Sequence, residues 1–208
     1  MKLPLLCFAF YLPYTLCIIG GNDVQRDRDE THFVVSLRHK AGAKHFCGGA
    51  LIVLNFVLTA ASCVKDRNLK DFFGHVGLSN LHNSQEGVTL YFDKVLLKDP
   101  TGQKLVRNNI ALLHLEDRIP DSHEDKVRII KFFSDTDKAE NGARCKAFGW
   151  GQTDCSESPI LSDVFTRVDS HKDWIIKTME ENSSTLHKPH AIIMTTCIVV
   201  LLKTWLHL

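Results

Sequence analysis

Two cysteines in the middle of the chain have the spacing and surroundings of a disulfide pair. Cys47 and Cys63 lie sixteen residues apart and bracket two apolar, β-branched runs, residues 50–54 and 56–60. Such runs predict adjacent buried strands. A disulfide between these cysteines would join the far ends of that hairpin, so we predict this bond.

Serine and histidine side chains could also do chemistry, but their placement argues against it. Ser62 and Ser156 would be nucleophiles only beside a base, and no motif in the sequence places one for them. The 11 histidines lack the regular spacing of metal ligands. We therefore expect no metal, and surface or loop positions for six of them: His32, His39, His45, His75, His82 and His114.

Composition and the N-terminus indicate a secreted protein. The 208 residues carry 25 basic and 24 acidic side chains, a balance that gives no reason to expect a nucleic-acid partner. Seven cysteines in so short a chain favour an oxidising compartment. Residues 1–17 combine a lysine, an apolar run and small residues, which predicts a signal peptide cleaved after Cys17. The mature chain would then begin at Ile18.

The C-terminal tail, residues 183–208, is apolar enough to associate with a membrane through residues 191–208. Small residues, a short polar spacer and an apolar run resemble a GPI-anchor signal, which is the favoured interpretation. A tilted membrane span and a merely apolar terminus are the next alternatives, because the run is short for a spanning helix. Asn182 also begins an Asn-Ser-Ser glycosylation sequon.

Between these ends, short apolar segments separated by turn residues predict a small β-barrel followed by a second, shorter set of strands. The first barrel covers about residues 18–118, and its strands are predicted at 32–38 (half-buried by its alternation), 50–54, 56–60, 72–78, 87–92, 94–98 and 110–115. Polar residues 116–126 form the predicted linker. Strands at 127–133, 143–150 and 164–168 and a helix at 169–181 follow, within residues 127–182.

Several motifs occur in one order along residues 18–182. They are Ile-Ile-Gly-Gly at 18–21, CGGALI with LTAASC at 47–63, NIALL at 109–113, CKAFGWG at 145–151, and VFTRV with DWI at 164–175. This series resembles the chymotrypsin/trypsin-like serine proteases, whose fold is a double β-barrel. The resemblance implies a secreted endopeptidase fold and shows where a catalytic site would lie.

At those catalytic positions the chain departs from the family. The family's base histidine, in Leu-Thr-Ala-Ala-His-Cys, is matched by Ser62, and the aspartate that orients it, in Asp-Ile-Ala-Leu-Leu, is matched by Asn109. The nucleophile motif Gly-Asp-Ser-Gly-Gly-Pro does not occur, and the chain passes almost directly from Gly151 to Cys155. Since base, orienting carboxylate and nucleophile are all required, we expect no peptidase activity.

The same apparent deletion implies further departures. The second barrel would be incomplete, and Cys145 and Cys155 would both lack their family partners. They would either pair with each other or remain thiols. Neither Arg nor Lys precedes Ile18. The family's aspartate that would pair with the terminal ammonium group of Ile18 has no match here, so we expect Ile18 at the surface.

The predicted fold is all-β: a trypsin-like double β-barrel with a complete first barrel, an incomplete second barrel and a C-terminal helix. The predicted function is that of a non-catalytic serine protease homologue, secreted or on the extracellular face of the plasma membrane. It would need no cofactor and would act by binding a protein such as a protease or a protease substrate. Two alternatives are an endopeptidase in a longer form, and a non-productive splice or gene variant without function.

Overall fold

The computed structural model describes residues 29–82, 86–123, 126–130, 142, 144–150 and 166–183. Within these ranges the chain forms seven strands: β1 (Val34–His39), β2 (His45–Val53), β3 (Phe56–Thr59), β4 (Phe72–Val76), β5 (Val88–Leu90), β6 (Phe92–Leu97) and β7 (Ala111–Leu115). It also forms three α-helices: α1 (Ala61–Val64), α2 (Leu105–Asn108) and α3 (Lys172–Ser183). All seven strands predicted before the linker are present, so the prediction of a mostly β fold with a C-terminal helix is confirmed.

The strands form one antiparallel sheet in the order β5-β4-β1-β2-β3-β7-β6. Its two edge strands, β5 and β6, are separated along the chain only by Tyr91. The sheet therefore curls until both edges lie in one stretch of chain, residues 88–97. At that junction the Glu116 N–H donates to the Tyr91 carbonyl at 2.9 Å. This curled sheet is the first barrel of the predicted trypsin-like fold.

Strand β1 shows how both faces of the sheet are used. Val35 and Leu37 point into the barrel and are fully buried in its apolar core, together with side chains from the other strands. Ser36 and Arg38 lie on the opposite face and are also buried, with exposed fractions of 0% and 9%. The prediction of a half-buried strand is therefore wrong for β1, because other parts of the chain cover its outer face.

After β7 the chain runs along the first barrel. The described part of the linker has a 3-10 turn at Asp121–His123. Gly77, with φ +77°, lets the Lys126 carbonyl approach the barrel where a side chain at position 77 would collide with it. Beyond it, the Arg128 N–H donates to the His32 carbonyl at 3.2 Å and the Ile130 N–H to the Leu51 carbonyl at 3.0 Å. The linker therefore leads back onto the first barrel.

The three strands predicted in the second half are corrected as far as the structure describes them. Residues 127–130, 144–150 and 166–168 are irregular, and the remainder of each predicted strand lies outside the described residues. A strand needs a neighbour that satisfies its backbone groups. For residues 127–130 the backbone hydrogen bonds instead reach isolated carbonyls of the first barrel, so no ladder forms.

Helix α3 packs on the first barrel through the face that the sequence indicates. Ile175 is fully buried against Ile52, Phe56 and Leu112, and Trp174 and Met179 flank it. A 3-10 turn, Asp169–His171, leads into the helix. No helix among the described residues is long and apolar enough to cross a membrane; residues 184–208 lie outside them.

Candidate functional site

The predicted disulfide is present. Cys47 on β2 and Cys63 on α1 are bonded, with their Cα atoms 6.2 Å apart. The cross-link closes a loop of the size for which restriction of the unfolded chain is worth about 3 kcal/mol. The bond fixes α1, which carries Ser62, against the N-terminal part of β2.

The structure brings together the two residues singled out as a candidate site. Ser62 lies on α1, and Asn109 lies between α2 and β7. Although they are 47 residues apart, the Ser62 backbone N–H donates to Asn109 Oδ1 at 2.8 Å. The Thr166 hydroxyl donates to the Asn109 carbonyl at 3.2 Å, so Asn109 is held from both sides.

The chemistry available at this contact is limited. Ser62 is exposed and Asn109 is half-buried, so solvent reaches the pair. A neutral amide supplies hydrogen bonds but no negative charge, and a serine hydroxyl is not a base near neutral pH. Four imidazoles among the described residues make hydrogen bonds away from Ser62 and Asn109: His45 to Ser36, His75 to Glu86, His114 to Asp93 and His171 to Lys98.

One serine–histidine pair does have the distance of a nucleophile and its base, and sequence reasoning missed it. The Ser36 hydroxyl lies 2.8 Å from His45 Nδ1. Ser36 is completely buried on the outer face of β1, so it cannot reach a substrate. Burial, and secondarily the nearby Arg38 guanidinium, lower the pKa of His45. The signal for this pair is the β1–β2 register, in which Arg38 lies opposite His45.

The expectation that six histidines occupy the surface or loops is wrong for four of them. His75 lies on β4 with an exposed fraction of 4%, and the half-buried His39, His45 and His114 lie on β1, β2 and β7. Burial, followed by the charge of Arg38, also lowers the pKa of His75. The described residues contain no group of three or more His, Cys, Asp or Glu side chains that could hold a metal ion.

The remaining predicted site residues lie apart from Ser62 and Asn109. Asn182 lies in the last turn of α3, where its Nδ2 donates to the Thr178 carbonyl at 2.9 Å and its Oδ1 accepts from Lys94 Nζ at 3.4 Å. Cys145 is exposed. Ile18 and Cys155 lie outside the described residues, so the mature N-terminus and the Cys145–Cys155 pairing stay predictions.

Comparison with known proteins supplies the family. Residues 18–172 match the model of the family described as Trypsin, which is well over half of the 208 residues. The chain belongs to the trypsin family. It is 34% identical to granzyme M of Rattus norvegicus over 139 residues, which is 65% of this chain and 50% of that protein. It is 28% identical to trypsin theta of Drosophila melanogaster over 161 residues, 76% of this chain and 57% of that protein.

Two further proteins are similar to this chain. Chymotrypsin-C of Bos taurus is 28% identical over 148 residues, 66% of this chain and 53% of that protein. The solved structure of human heparin binding protein is 26% identical, with a TM-score of 0.48, and the match covers 59% of this chain and 52% of that one. The trypsin-family chain spans about half the length of the curated relatives it matches.

Proposed function

We propose that this trypsin-family chain is not a peptidase and acts by binding another protein. The observation that carries the proposal is the hydrogen bond from the Ser62 N–H to Asn109 Oδ1, 2.8 Å long. The family motifs place the base at position 62 and its orienting carboxylate at position 109. Here a serine and an amide occupy the two positions while the contact between them is formed, so the frame of the site is kept without its proton-transfer groups.

The magnitude of the loss supports the same conclusion. Removal of any one triad member in this family leaves about 10³–10⁴-fold catalysis over water, which comes from the oxyanion hole and substrate binding. The sequence also lacks the Gly-Asp-Ser-Gly-Gly-Pro motif that carries the nucleophile and the adjacent oxyanion donors. Residual activity would therefore have no structural support within this chain.

Binding would use the surface of the first barrel, whose strands are paired and whose α1 end is fixed by the Cys47–Cys63 bond. The expected partner is a protease or a protease substrate, for which this chain would act as a decoy, cofactor or adaptor. A disulfide suits secretion or the extracellular face of the plasma membrane, with residues 191–208 as the proposed membrane-associating tail. Glycosylation of Asn182 would require its amide to leave the Thr178 carbonyl, so we place it before α3 is complete.

A serine-reactive fluorophosphonate probe and a panel of fluorogenic peptides test the loss of catalysis. The secreted chain should give no labelling and no hydrolysis above a blank, alongside trypsin as the positive control. The matched variant Ser62→Ala should behave identically. Labelling or hydrolysis that disappears in Ser62→Ala would overturn the proposal, because Ser62 would then be a nucleophile.

A panel of immobilised trypsin-family proteases and their zymogens tests the binding half of the proposal. We expect saturable binding to at least one of them, which the double variant Cys47→Ser/Cys63→Ser should lose as its α1 end loosens. If the intact chain binds none of the panel and no protein substrate of those proteases, the proposed mode of action is wrong.

Endopeptidase activity in a longer form is a second candidate, favoured by the chain covering 50% to 57% of its relatives. Such a form would still carry Ser62 and Asn109. Expression of any longer form with the same assay decides between the two, since activity there would assign catalysis to the added segment.

A further inference from the structure

Four polar side chains form a cluster on the outer face of β1, β2 and β4, and neither the family site nor the proposed function uses them. This outer cluster consists of Ser36, Arg38, His45 and His75. The strand registers place Ser36 opposite His75 and Arg38 opposite His45. Ser36, Arg38 and His75 have exposed fractions of 0%, 9% and 4%, and His45 is half-buried, so a permanent cation lies beside one buried and one half-buried titratable ring.

The hydrogen bonds within the outer cluster satisfy Arg38 with neutral groups. Its Nε donates to the Ala43 carbonyl at 2.6 Å and its Nη2 to the Leu81 carbonyl at 3.1 Å. His75 Nε2 lies 2.6 Å from the Glu86 carbonyl. When the His45 ring gains a proton, its Nδ1–H can donate to the Ser36 hydroxyl, so this hydrogen bond is kept. The free-energy cost of protonation therefore comes from burial of the charged ring and from the nearby charge of Arg38.

Residues 144–150 meet this patch at His45, and side chains provide their described contacts with the barrel. The Trp150 ring meets the His45 ring edge-on at 5.8 Å, and its Nε1–H donates to the Ser79 carbonyl at 3.5 Å. The Phe148 ring meets Phe33 at 6.2 Å. A segment held in this way, with no strand ladder, is expected to open at a lower free energy than the sheet.

We propose that the outer cluster is a pH-sensitive latch, in which protonation of His45 beside Arg38 releases residues 144–150 from the barrel. The charged groups on the packed elements are Arg38 on β1, Glu86 on the turn before β5, and Lys146 on the segment itself. The Glu86 carboxylate accepts from the Ser79 hydroxyl at 3.0 Å, and Lys146 contacts Glu30 at 3.3 Å. Arg38 is thus the charge that both rings would meet on gaining a proton.

The direction of the effect follows from His45. Burial and, secondarily, Arg38 lower its pKa from the ordinary value of 6.5 in the closed state. Release of Trp150 exposes the His45 ring to water and weakens the effect of burial, while Arg38 stays beside it, so the released state binds more protons. By linkage, the latch is closed at neutral pH and opens as pH falls towards the lowered closed-state pKa of His45.

Exchange of the Trp150 indole N–H, followed by NMR on the full chain with ¹⁵N-labelled tryptophan, tests the latch. Trp150→Phe identifies the signal among the three tryptophans. Between about pH 7 and about pH 5, corrected for intrinsic chemistry, we expect the opening equilibrium to rise about tenfold for each unit by which a pKa is lowered. The double variant His45→Gln/His75→Gln should lose this rise. The matched control His171→Gln, a buried histidine in the 3-10 turn before α3, should keep it.

Three results would overturn the proposal. In the first, the Trp150 indole N–H keeps its protection from exchange at acidic pH. In the second, the double variant responds to pH as the wild type does. In the third, the Trp150 N–H loses protection together with the amides of β3 and β7, which would be global acid unfolding. If the double variant does not fold, the Cε1–H titration of His45 in the wild type replaces it. Its midpoint must then coincide with that of Trp150, and a mismatch refutes the latch.

Discussion

In the first half of the chain, backbone hydrogen bonds between strands carry the structure, whereas the described parts of the second half are attached to it mainly by side chains. Strands β1, β2, β3, β4 and β7 each have two neighbours in the curled sheet. In contrast, residues 144–150 rely on Phe148 and Trp150, and α3 relies on the apolar face around Ile175. We therefore expect the first half to depend less on the second than the second depends on the first, since the second has no core of its own among the described residues.

This asymmetry separates the structural role of the family frame from its catalytic role. The described contacts that hold Ser62 and Asn109 lie in the first half of the chain, apart from the hydroxyl of Thr166. We therefore expect α1 to keep its place on the first barrel when much of the second half is altered. This is the physical reason for proposing a binding function and for assigning it to the first barrel.

The largest expected effect comes from a substitution in the core of the first barrel, on which the second half depends. Leu113 on β7 is fully buried in the barrel core. Leu113→Ala should lower the free energy of unfolding by about 2–5 kcal/mol. The near-UV signals of Trp150 and Trp174 should disappear in the same transition, since both rest on the sheet. The control Ile129→Ala, at a side chain 47% exposed, should change the free energy of unfolding by less than about 0.5 kcal/mol.

An unchanged transition in Leu113→Ala, or tryptophan signals that outlast the sheet, would contradict the dependence of the second half on the first. A flat thermal trace for the unmodified chain would favour the non-productive variant instead.

The converse substitution should affect one side only. Ile175 is the fully buried residue of α3. Ile175→Ala should remove the amide protection of α3 while the stability of β1–β7 falls by less than about 1 kcal/mol. Hydrogen exchange measures both in one sample, and Lys177→Ala on the exposed face of α3 is the matched control. A loss of protection spread evenly over the sheet would mean that the two halves form one cooperative unit.

The same asymmetry explains how far the sequence could predict the fold. Short apolar segments bounded by turn residues predicted all seven strands of the first barrel because every strand contributes to one common core. Residues 127–130 and 144–150 belong to segments of the same kind, and a pattern in one segment cannot state whether a partner strand exists. The burial of Ser36 and Arg38 was missed because it depends on distant parts of the chain, such as the Leu81 carbonyl that accepts from Arg38.

For the candidate site, the sequence predicted more than composition alone would allow. The Cys47–Cys63 bond followed from spacing and from the apolar hairpin between the two residues. Positions 62 and 109 were paired only through the resemblance, since nothing local to Ser62 points to Asn109. The serine–histidine pair at 36 and 45 was within reach, because the β1–β2 register follows from the hairpin.

A smaller effect tests whether the frame at positions 62 and 109 still orients a base. Ser62→His places an imidazole beside Asn109, and adding Asn109→Asp places it beside a carboxylate. The carboxylate should raise the pKa of the introduced histidine by about one unit relative to the single variant. NMR titration of its Cε1–H measures the difference, with His45 as an internal reference. Equal pKa values in the two variants would show that the geometry for a His–Asp pair is lost.

The smallest effect concerns the contact that joins the two halves at His171. Lys98 Nζ, just after β6, donates to His171 Nδ1 at 2.6 Å, which requires that nitrogen to be unprotonated. Burial, then the Lys98 charge, lower the pKa of His171, while the Arg107 carbonyl and Asp169 act in the opposite direction. The unfolded or undocked state therefore binds more protons below 6.5, and α3 should loosen as pH falls through the lowered pKa.

The amide protection of α3 should thus decline modestly between about pH 7 and about pH 5, and His171→Gln should flatten that decline. Lys98→Met removes the charge and should shift the decline towards lower pH. Because His45 and His75 do not contact α3, the double variant His45→Gln/His75→Gln should leave the response of α3 as it is in the wild type. A response of α3 that follows those two residues instead of His171 would mean that residues 144–150 and α3 move together, and the second half would then be a single unit after all.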